Sequence, residues 1–228
     1  MNEALPFDAA VFSAVILDFN GVLWWDGALQ EEAWQRFAER LRGSPMLPAE
    51  MARHVHGRHN RHTLSYLLGR PVDEAEAERL GEEKEVIYRA LCLEQGDAFR
   101  LSPGAESLLD FLTAGGVPRT IATASGARNL EFFAAHLDLG RWFDVDLVVY
   151  DDGTRPGKPA PDVYLEAAQR LALPPARCIV VEDSLSGIEA ARAAGIGCVV
   201  GLGPVPLAGA ELTIESLEAF PRGWLEPI

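Results

Sequence analysis

Asp18 follows a short apolar run and opens the segment Asp18-Phe19-Asn20-Gly21-Val22-Leu23. A carboxylate at the end of a buried strand can attack phosphorus and form an aspartyl-phosphate, which divides a difficult displacement into two steps. Such chemistry needs a cation nearby to offset the charge of the phosphate. The same six residues also fit a hairpin, because Asn-Gly between apolar runs is a strong type I′ turn signal. Both interpretations stay open on this segment alone.

Two further segments contain groups that could bind the phosphate. Thr123 ends an apolar run, so its hydroxyl and the N–H groups of Ala124 and Ser125 could hold a phosphate oxygen. Lys158 lies in Gly157-Lys158-Pro159-Ala160-Pro161-Asp162, whose prolines fix the direction of its ammonium group. The ordinary alternatives are that Thr123 caps the helix beginning near Arg128 and that Lys158 is a solvated surface residue.

Glu182 and Asp183 follow the apolar residues Ile179-Val180-Val181 and precede Ser184-Leu185-Ser186-Gly187. Acids at the end of a buried strand need compensation for their lost hydration. Together with Asp18, their oxygens fit the hard-ligand chemistry of Mg²⁺, with water and substrate phosphate in the remaining positions. Alternatively, Asp183 or Ser184 caps the helix that follows.

Short apolar, β-branched runs predict the strands that would position these residues, at 15–19, 120–123, 147–150, 179–181 and 197–200. The last four alternate with helical patterns at 105–114, 127–137, 161–171 and 187–194, which indicates βαβ units around a parallel sheet. The polar residues then lie at the carboxyl ends of strands, where ligands bind such sheets. Between the first two strands, residues 26–96 show only helical periodicity, at 31–41, 63–68 and 74–93, and predict an inserted helical domain.

The composition is that of a soluble globular chain, since 48% of the 228 residues are hydrophobic and 24% are charged. The formal net charge of −14 repels polyanions, so nucleic acid is not an expected partner. Cys92, Cys178 and Cys198 lack metal-ligand spacing and predict buried free thiols. The apolar run 14–17 is too short to span a membrane, and the acidic N-terminus lacks a basic signal-peptide start. We therefore expect a cytoplasmic protein without a membrane partner.

In this order, the four segments resemble the motifs of haloacid dehalogenase-like (HAD) hydrolases: DxxGxL, a strand-end Thr or Ser, GKPxPD and EDSxxGxxAAxxAG. The last motif is matched almost throughout from Glu182 to Gly195. The resemblance implies a Rossmann-like α/β core at 1–24 and 98–228, with an α-helical cap domain at 25–97 that closes over the substrate. It is strongest for the β-phosphoglucomutase and sugar-phosphatase branch, and so implies a small phosphorylated metabolite as substrate.

The resemblance also assigns roles, residue by residue. It makes Asp18 the nucleophile, and it makes Thr123 and Lys158 the groups that bind the phosphoryl oxygens. It implies a Mg²⁺ site whose ligands are Asp18, the backbone carbonyl of Asn20, Glu182 and Asp183.

In the cap, His56-Gly57-Arg58 resembles the segment with which relatives reach their substrates. Arg61 adds a second cation near a phosphate or carboxylate. Ordinary surface charge on a helix is the alternative for these residues. The sequence leaves the oligomeric state as a monomer or a small homo-oligomer.

Asn20 departs from the family pattern, in which phosphatases and mutases have an aspartate acid/base two residues after the nucleophile. An amide cannot transfer a proton near neutral pH, a function worth about 10²–10⁴ in rate, so we expect slow hydrolysis of alkyl phosphates. Three explanations stay open: an engineered substitution, an enzyme whose leaving group needs no protonation, or lost catalysis in a silent phosphate-ligand binder. A metal-independent dehalogenase-like hydrolase is a further alternative, which the intact Glu182-Asp183 pair disfavours.

Overall fold

The computed structural model describes residues 12–55 and 60–226, which form two compact units. One unit contains the described residues up to Trp25 and those from Arg100 onward, and the other is Asp26–Phe99. The strands of the described residues all belong to the first unit, and the second is helical. None of the helices in these described ranges combines the length and apolar character that a membrane span requires.

The first unit is built on a sheet whose strands are β1 Ala14–Leu17, β2 Arg119–Gly126, β3 Val149–Asp151, β4 Cys178–Glu182, β5 Cys198–Leu202 and β6 Leu212–Ile214. They lie in the order β3-β2-β1-β4-β5-β6, and all neighbours are parallel. Every residue of β1 is buried, as expected of a strand covered on both faces. The predicted strands are confirmed, whereas the short edge strand β6 is not among the predictions.

The chain after β1 turns away from the sheet. β1 pairs in parallel with β2 on one edge and with β4 on the other, so neither edge can accept an antiparallel partner. The carbonyl of Phe19 accepts the N–H groups of Val22, Leu23 and Trp24, and Gly21 adopts a φ of 81°. The hairpin interpretation of the Asp18 segment is therefore wrong, although the Asn-Gly pair does mark a turn.

The helices of the second unit, within the described residues, are α1 Gly27–Arg42, α2 Pro48–His54, α3 Asn60–Leu68 and α4 Glu74–Glu94. The three predicted helical runs are parts of α1, α3 and α4, and the periodicity does not predict α2. The four helices share one apolar core, and each contributes buried side chains to it, among them Phe37, Met51, Leu64 and Leu80. Gly43 ends α1 with a φ of 75°, as is typical of a helix C-terminus.

A chain of buried polar groups connects the start of α1 to α4. Lys84 is only 2% exposed, and its ammonium group donates to Gln30 Oε1 and, at 2.9 Å, to Glu85 Oε1. Asp26 Oδ2 accepts hydrogen bonds from Gln30 Nε2 at 3.0 Å and from the Tyr88 hydroxyl at 2.7 Å. Lys84, Asp26 and Tyr88 are buried together with hydrogen-bond partners, which offset the cost of removing these polar groups from water.

In the first unit, the helices that alternate with the strands are α5 Ala105–Ala114, α6 Ala127–His136, α7 Asp162–Arg170 and α8 Leu185–Ala193. Each boundary lies within two residues of its prediction. Tyr164 of α7 and Ile188 of α8 pack with Ile16, Val180 and Val199 from the middle of the sheet. The predicted α/β class with a parallel sheet is confirmed.

Candidate active site

The predicted acids meet at the carboxyl edge of the sheet. Asp18 follows β1, Glu182 ends β4, and Asp183 comes next. Leu17 pairs in register with Val181, which brings Asp18 beside Glu182. Oxygens of the three carboxylates all lie within 4.8 Å of one another. A cluster of oxygen ligands of this kind can hold a divalent cation.

Lys158 reaches two of the three acids, Asp18 and Glu182, from the loop between β3 and α7. Its Nζ lies 2.8 Å from Asp18 Oδ1, donates to Glu182 Oε1, and lies 3.5 Å from the carbonyl oxygen of Ala122. The side chain is only 9% exposed, so the alternative of a solvated surface lysine is wrong. A buried ammonium group between two carboxylates offsets part of their charge and fixes the orientation of Asp18.

Glu182 is fully buried, and protein donors surround its carboxylate. Oε1 accepts hydrogen bonds from Lys158 and, at 2.8 Å, from the Tyr164 hydroxyl. Oε2 accepts from the backbone N–H of Ser184 at 3.0 Å and from its hydroxyl at 2.9 Å. Gly187 lies so close that a Cβ on it would be 1.8 Å from Glu182 Oε1. This packing directs the carboxylate of Glu182 toward Lys158. The neighbouring Asp183, by contrast, is partly exposed to solvent.

Helix capping and the acidic cluster coexist at this strand end. The Ser184 hydroxyl accepts the N–H of Gly187 at 3.0 Å and so caps α8, as one of the alternatives predicts. The sequence prediction does not include Tyr164, because its contact with Glu182 forms only when α7 packs against the sheet. A role for Gly187 beside Glu182 could be predicted from the sequence, because the EDSxxG spacing places a glycine five residues after Glu182.

The charges of the cluster do not balance, since three carboxylates face one ammonium group. Burial raises the pKa of Asp18 to about 8, and repulsion from Glu182 and Asp183 adds to this effect against the attraction of Lys158. Burial disfavours the charged form of Lys158, but the charges of Asp18 and Glu182 outweigh it and hold the pKa of the lysine well above its usual value. Burial also opposes ionisation of Glu182, yet the charge and hydrogen bond of Lys158 keep its pKa below the usual value. The excess proton therefore resides on Asp18, from which a divalent cation would displace it.

Asn20 and Thr123 are joined through Ser125. The Ser125 hydroxyl donates to Asn20 Oδ1 at 2.7 Å, and the Ser125 N–H donates to Thr123 Oγ1 at 3.0 Å. Helix α6 begins at Ala127 without a side-chain cap, so the alternative that Thr123 caps it is wrong. Thr123 is buried at the end of β2, Ala124 is exposed, and Ser125 is partly exposed. A role of these residues in phosphate binding stays a prediction.

The residues present fit a divalent cation. Their donors are oxygens, which Mg²⁺ and Ca²⁺ prefer. Gly21 has a φ of 81°, and a Cβ on it would lie 1.9 Å from Asp183 Oδ2, so only glycine lets the Asp183 carboxylate occupy its position. Because both oxygens of Glu182 already bind protein donors, Asp18 and Asp183 are the better placed of the acids to bind a cation.

The predicted residues of the helical unit are only partly described. Arg61 donates from Nε to the carbonyl of Val72 at 2.8 Å, and its Nη1 lies 3.5 Å from Glu74 Oε2. Its side chain is nevertheless 58% exposed, and its contact with substrate stays a prediction. His56 and Arg58 lie outside the described residues.

Comparison with known proteins shows that this chain, with its parallel-sheet core, is a hydrolase. The family model described as haloacid dehalogenase-like hydrolase matches residues 12–195, and the chain belongs to this family. A phosphorylated carbohydrates phosphatase of Thermotoga maritima is 33% identical over 193 residues, which are 83% of this chain and 84% of the relative.

Solved structures show the same likeness. The crystal structure of an HAD hydrolase, family IA, variant 3, from Entamoeba histolytica superposes with a TM-score of 0.85 at 35% identity, covering 90% of this chain and 94% of the other. A β-phosphoglucomutase of Clostridium difficile gives a TM-score of 0.75 at 26% identity, covering 92% and 93%. The predicted HAD-like hydrolase family and its β-phosphoglucomutase and sugar-phosphatase branch are confirmed.

The raised pKa of Asp18 predicts that the unfolding free energy of the unmodified protein depends on pH in a way that an Asp18→Asn variant does not share. A carboxyl whose pKa rises from 3.8 to about 8 binds its proton more tightly in the folded state, so this contribution to stability is lost as pH rises through about 8. In EDTA, the unfolding free energy of the unmodified protein should fall relative to the variant between about pH 4 and pH 8, by up to about 1.4 kcal/mol per pH unit. Urea titrations at several pH values measure the difference, and parallel pH profiles would contradict it.

The close approach of Glu182 to Gly187 predicts that Gly187→Ala destabilises the protein. The new methyl group would force the carboxylate out of its hydrogen bonds, at a cost of about 1–3 kcal/mol in unfolding free energy. Gly140→Ala is a matched control, because beyond the adjoining backbone no heavy atom of the described residues lies within 4 Å of the Cβ position there. Its effect should stay within about 0.5 kcal/mol. Equal losses in the two variants, measured by urea unfolding, would argue against the contact.

Proposed function

We propose that the chain is a Mg²⁺-dependent phosphatase or phosphomutase that acts on a small, sugar-phosphate-like metabolite through an aspartyl-phosphate on Asp18. The observation that supports this most directly is the position of Asp18 Oδ1, 2.8 Å from Lys158 Nζ within an acidic cluster at the carboxyl edge of the sheet. A nucleophile, a phosphate-binding cation and oxygen ligands for a metal are the parts that phosphoryl transfer requires. The similarity to a phosphatase of phosphorylated carbohydrates supports the substrate class.

In this proposal, Lys158, the Thr123 hydroxyl and the N–H groups of Ala124 and Ser125 bind the phosphoryl oxygens. Lys158 also orients Asp18 for attack on phosphorus, and water then hydrolyses the aspartyl-phosphate. Mg²⁺, when bound, supplies positive charge that offsets the charge of the phosphoryl group. The residues that would hold it are Asp18, Asn20 through its carbonyl, Glu182 and Asp183.

The helical unit would contribute the contacts to the rest of the substrate. His56, Arg58 and Arg61 are our candidates, because cationic and imidazole side chains suit a phosphate or carboxylate group. We expect the protein to act in the cytoplasm, as a monomer or a small homo-oligomer.

A second candidate is a phosphate-ligand binder without turnover, which the amide at Asn20 favours. Such a protein would keep the anion and metal contacts of Asp18, Lys158 and Asp183. It would lack the proton transfer that hydrolysis of an alkyl phosphate needs.

Asp18→Asn should abolish phosphate release from a panel of phosphomonoesters assayed with Mg²⁺, because the amide cannot act as the nucleophile. Mass spectrometry of the unmodified protein, quenched in acid during turnover, should detect a phosphoryl group on the peptide that contains Asp18. Asp146→Asn, an exposed exchange in the same unit, serves as the control and should keep full activity. Release that persists in Asp18→Asn would refute the proposed nucleophile.

Asn20→Asp should increase the hydrolysis of alkyl phosphates by about 10²–10⁴, because the carboxyl group restores a proton donor and acceptor two residues after Asp18. Initial rates of phosphate release at saturating Mg²⁺ measure the change. If neither protein releases phosphate from any member of the panel, the silent binder is the correct candidate.

A further inference from the structure

The side chain of Asn20 is oriented by a second residue of the site. The Ser125 hydroxyl donates to Asn20 Oδ1 at 2.7 Å, and Ser125 is itself held through its N–H by Thr123 Oγ1 at 3.0 Å. This contact engages the carbonyl end of the amide. The opposite end is an NH₂ group, which can donate hydrogen bonds but cannot give up a proton to a departing oxygen.

Because the side chain of residue 20 is an amide and not a carboxyl group, it decides which phosphate compounds can react quickly. In the loose transition state of phosphoryl transfer, negative charge accumulates on the leaving oxygen as its bond to phosphorus breaks. A general acid removes that charge by protonation, whereas an amide only stabilises it with a hydrogen bond. Without an acid, the rate depends strongly on how stable the leaving group is as an anion.

Resting on the phosphoryl transfer to Asp18 in the proposed function, we infer that, among small phosphorylated metabolites, this site reacts fastest with those whose leaving oxygen departs as a stable anion, such as acyl phosphates. Sugar phosphates esterified at an alkyl hydroxyl should react slowly. In the first step, a lone pair of an Asp18 carboxylate oxygen forms the bond to phosphorus. The bond from phosphorus to the leaving oxygen breaks, and its electron pair stays on that oxygen as a carboxylate. No proton moves, so Asn20 has only to donate a hydrogen bond to the departing oxygen.

The second step meets the same requirement, because the aspartyl-phosphate is itself an acyl phosphate. Water attacks phosphorus, the bond to the Asp18 oxygen breaks, and the electron pair returns to the Asp18 carboxylate. One proton of the water passes to solvent, and the other stays on the released phosphate. Departure of Asp18 thus needs no acid either. Asn20 cannot act as a base for the attacking water, so this step is expected to limit turnover.

A leaving-group series tests the inference. The value of kcat/KM reports the steps up to release of the first product, so slow hydrolysis of the aspartyl-phosphate does not obscure it. We would measure it with Mg²⁺ for acetyl phosphate, for aryl phosphates of graded phenol acidity and for glycerol phosphate, in the unmodified protein and in Asn20→Asp. The unmodified protein should lose activity steeply as the leaving group becomes less acidic. Asn20→Asp should gain about 10²–10⁴ on glycerol phosphate and less than about tenfold on acetyl phosphate.

Ser125→Ala tests the positioning role of the hydroxyl. Releasing the amide should lower kcat/KM by about two- to tenfold, the equivalent of one hydrogen bond. The loss should be greater for poor leaving groups than for acetyl phosphate, a pattern that a general loss of structure would not produce. Ser107→Ala removes an exposed hydroxyl on α5 in the same unit and should leave the whole series unchanged.

Two outcomes separate failure of the inference from failure of the proposed function. If the unmodified protein and Asn20→Asp both turn over the series with parallel dependence on leaving-group acidity, the inference is wrong and the proposed function stands. If neither protein releases product from any donor and no phosphoryl group is found on Asp18, the proposed function fails and the inference falls with it.

Discussion

One buried ammonium group facing three carboxylates is the interaction on which the rest of the site depends. Lys158 lies against Asp18 and Glu182 where β1 and β4 end. An oxygen of a third carboxylate, Asp183, lies within 4.8 Å of oxygens of both acids. Burial disfavours the charged form of Asp18, and repulsion from Glu182 and Asp183 adds to this effect against the attraction of Lys158, so the pKa of Asp18 rises to about 8. The cluster therefore has both the ligands for a divalent cation and an electrostatic reason to bind one.

Glu182 ends β4 and Asp183 lies in the bend that follows, and the two adjacent acids have different surroundings. Glu182 points into the protein, where Tyr164 and Ser184 satisfy its oxygens and fix the position of Lys158. Asp183 points outward and rests against Gly21. The two glycines that approach these carboxylates, Gly21 and Gly187, are as necessary to the arrangement as the charged residues, since a Cβ on either would occupy the place of an oxygen.

The sequence predicts the sheet well, because strands buried on both faces read as continuous apolar runs. Sequence patterns do not predict the features of the fold that only tertiary contacts determine. The local signal at Asn20-Gly21 favours a hairpin, which parallel pairing on both edges of β1 prevents. β6 is too short to show a pattern, and α2 has a single buried apolar residue, Met51. The order of the four motifs identifies Asp18 and Lys158, whereas the contact of Tyr164 with Glu182 forms only when α7 packs against the sheet.

Calorimetric titration of the metal-free protein with Mg²⁺ at pH 7 tests the central claim most directly. The unbalanced cluster should bind one ion per chain and release about one proton from Asp18, seen as a heat that varies with the ionisation enthalpy of the buffer. Asp183→Asn should weaken binding sharply. Absence of binding, or binding that releases no proton and is unaffected by Asp183→Asn, would contradict the account.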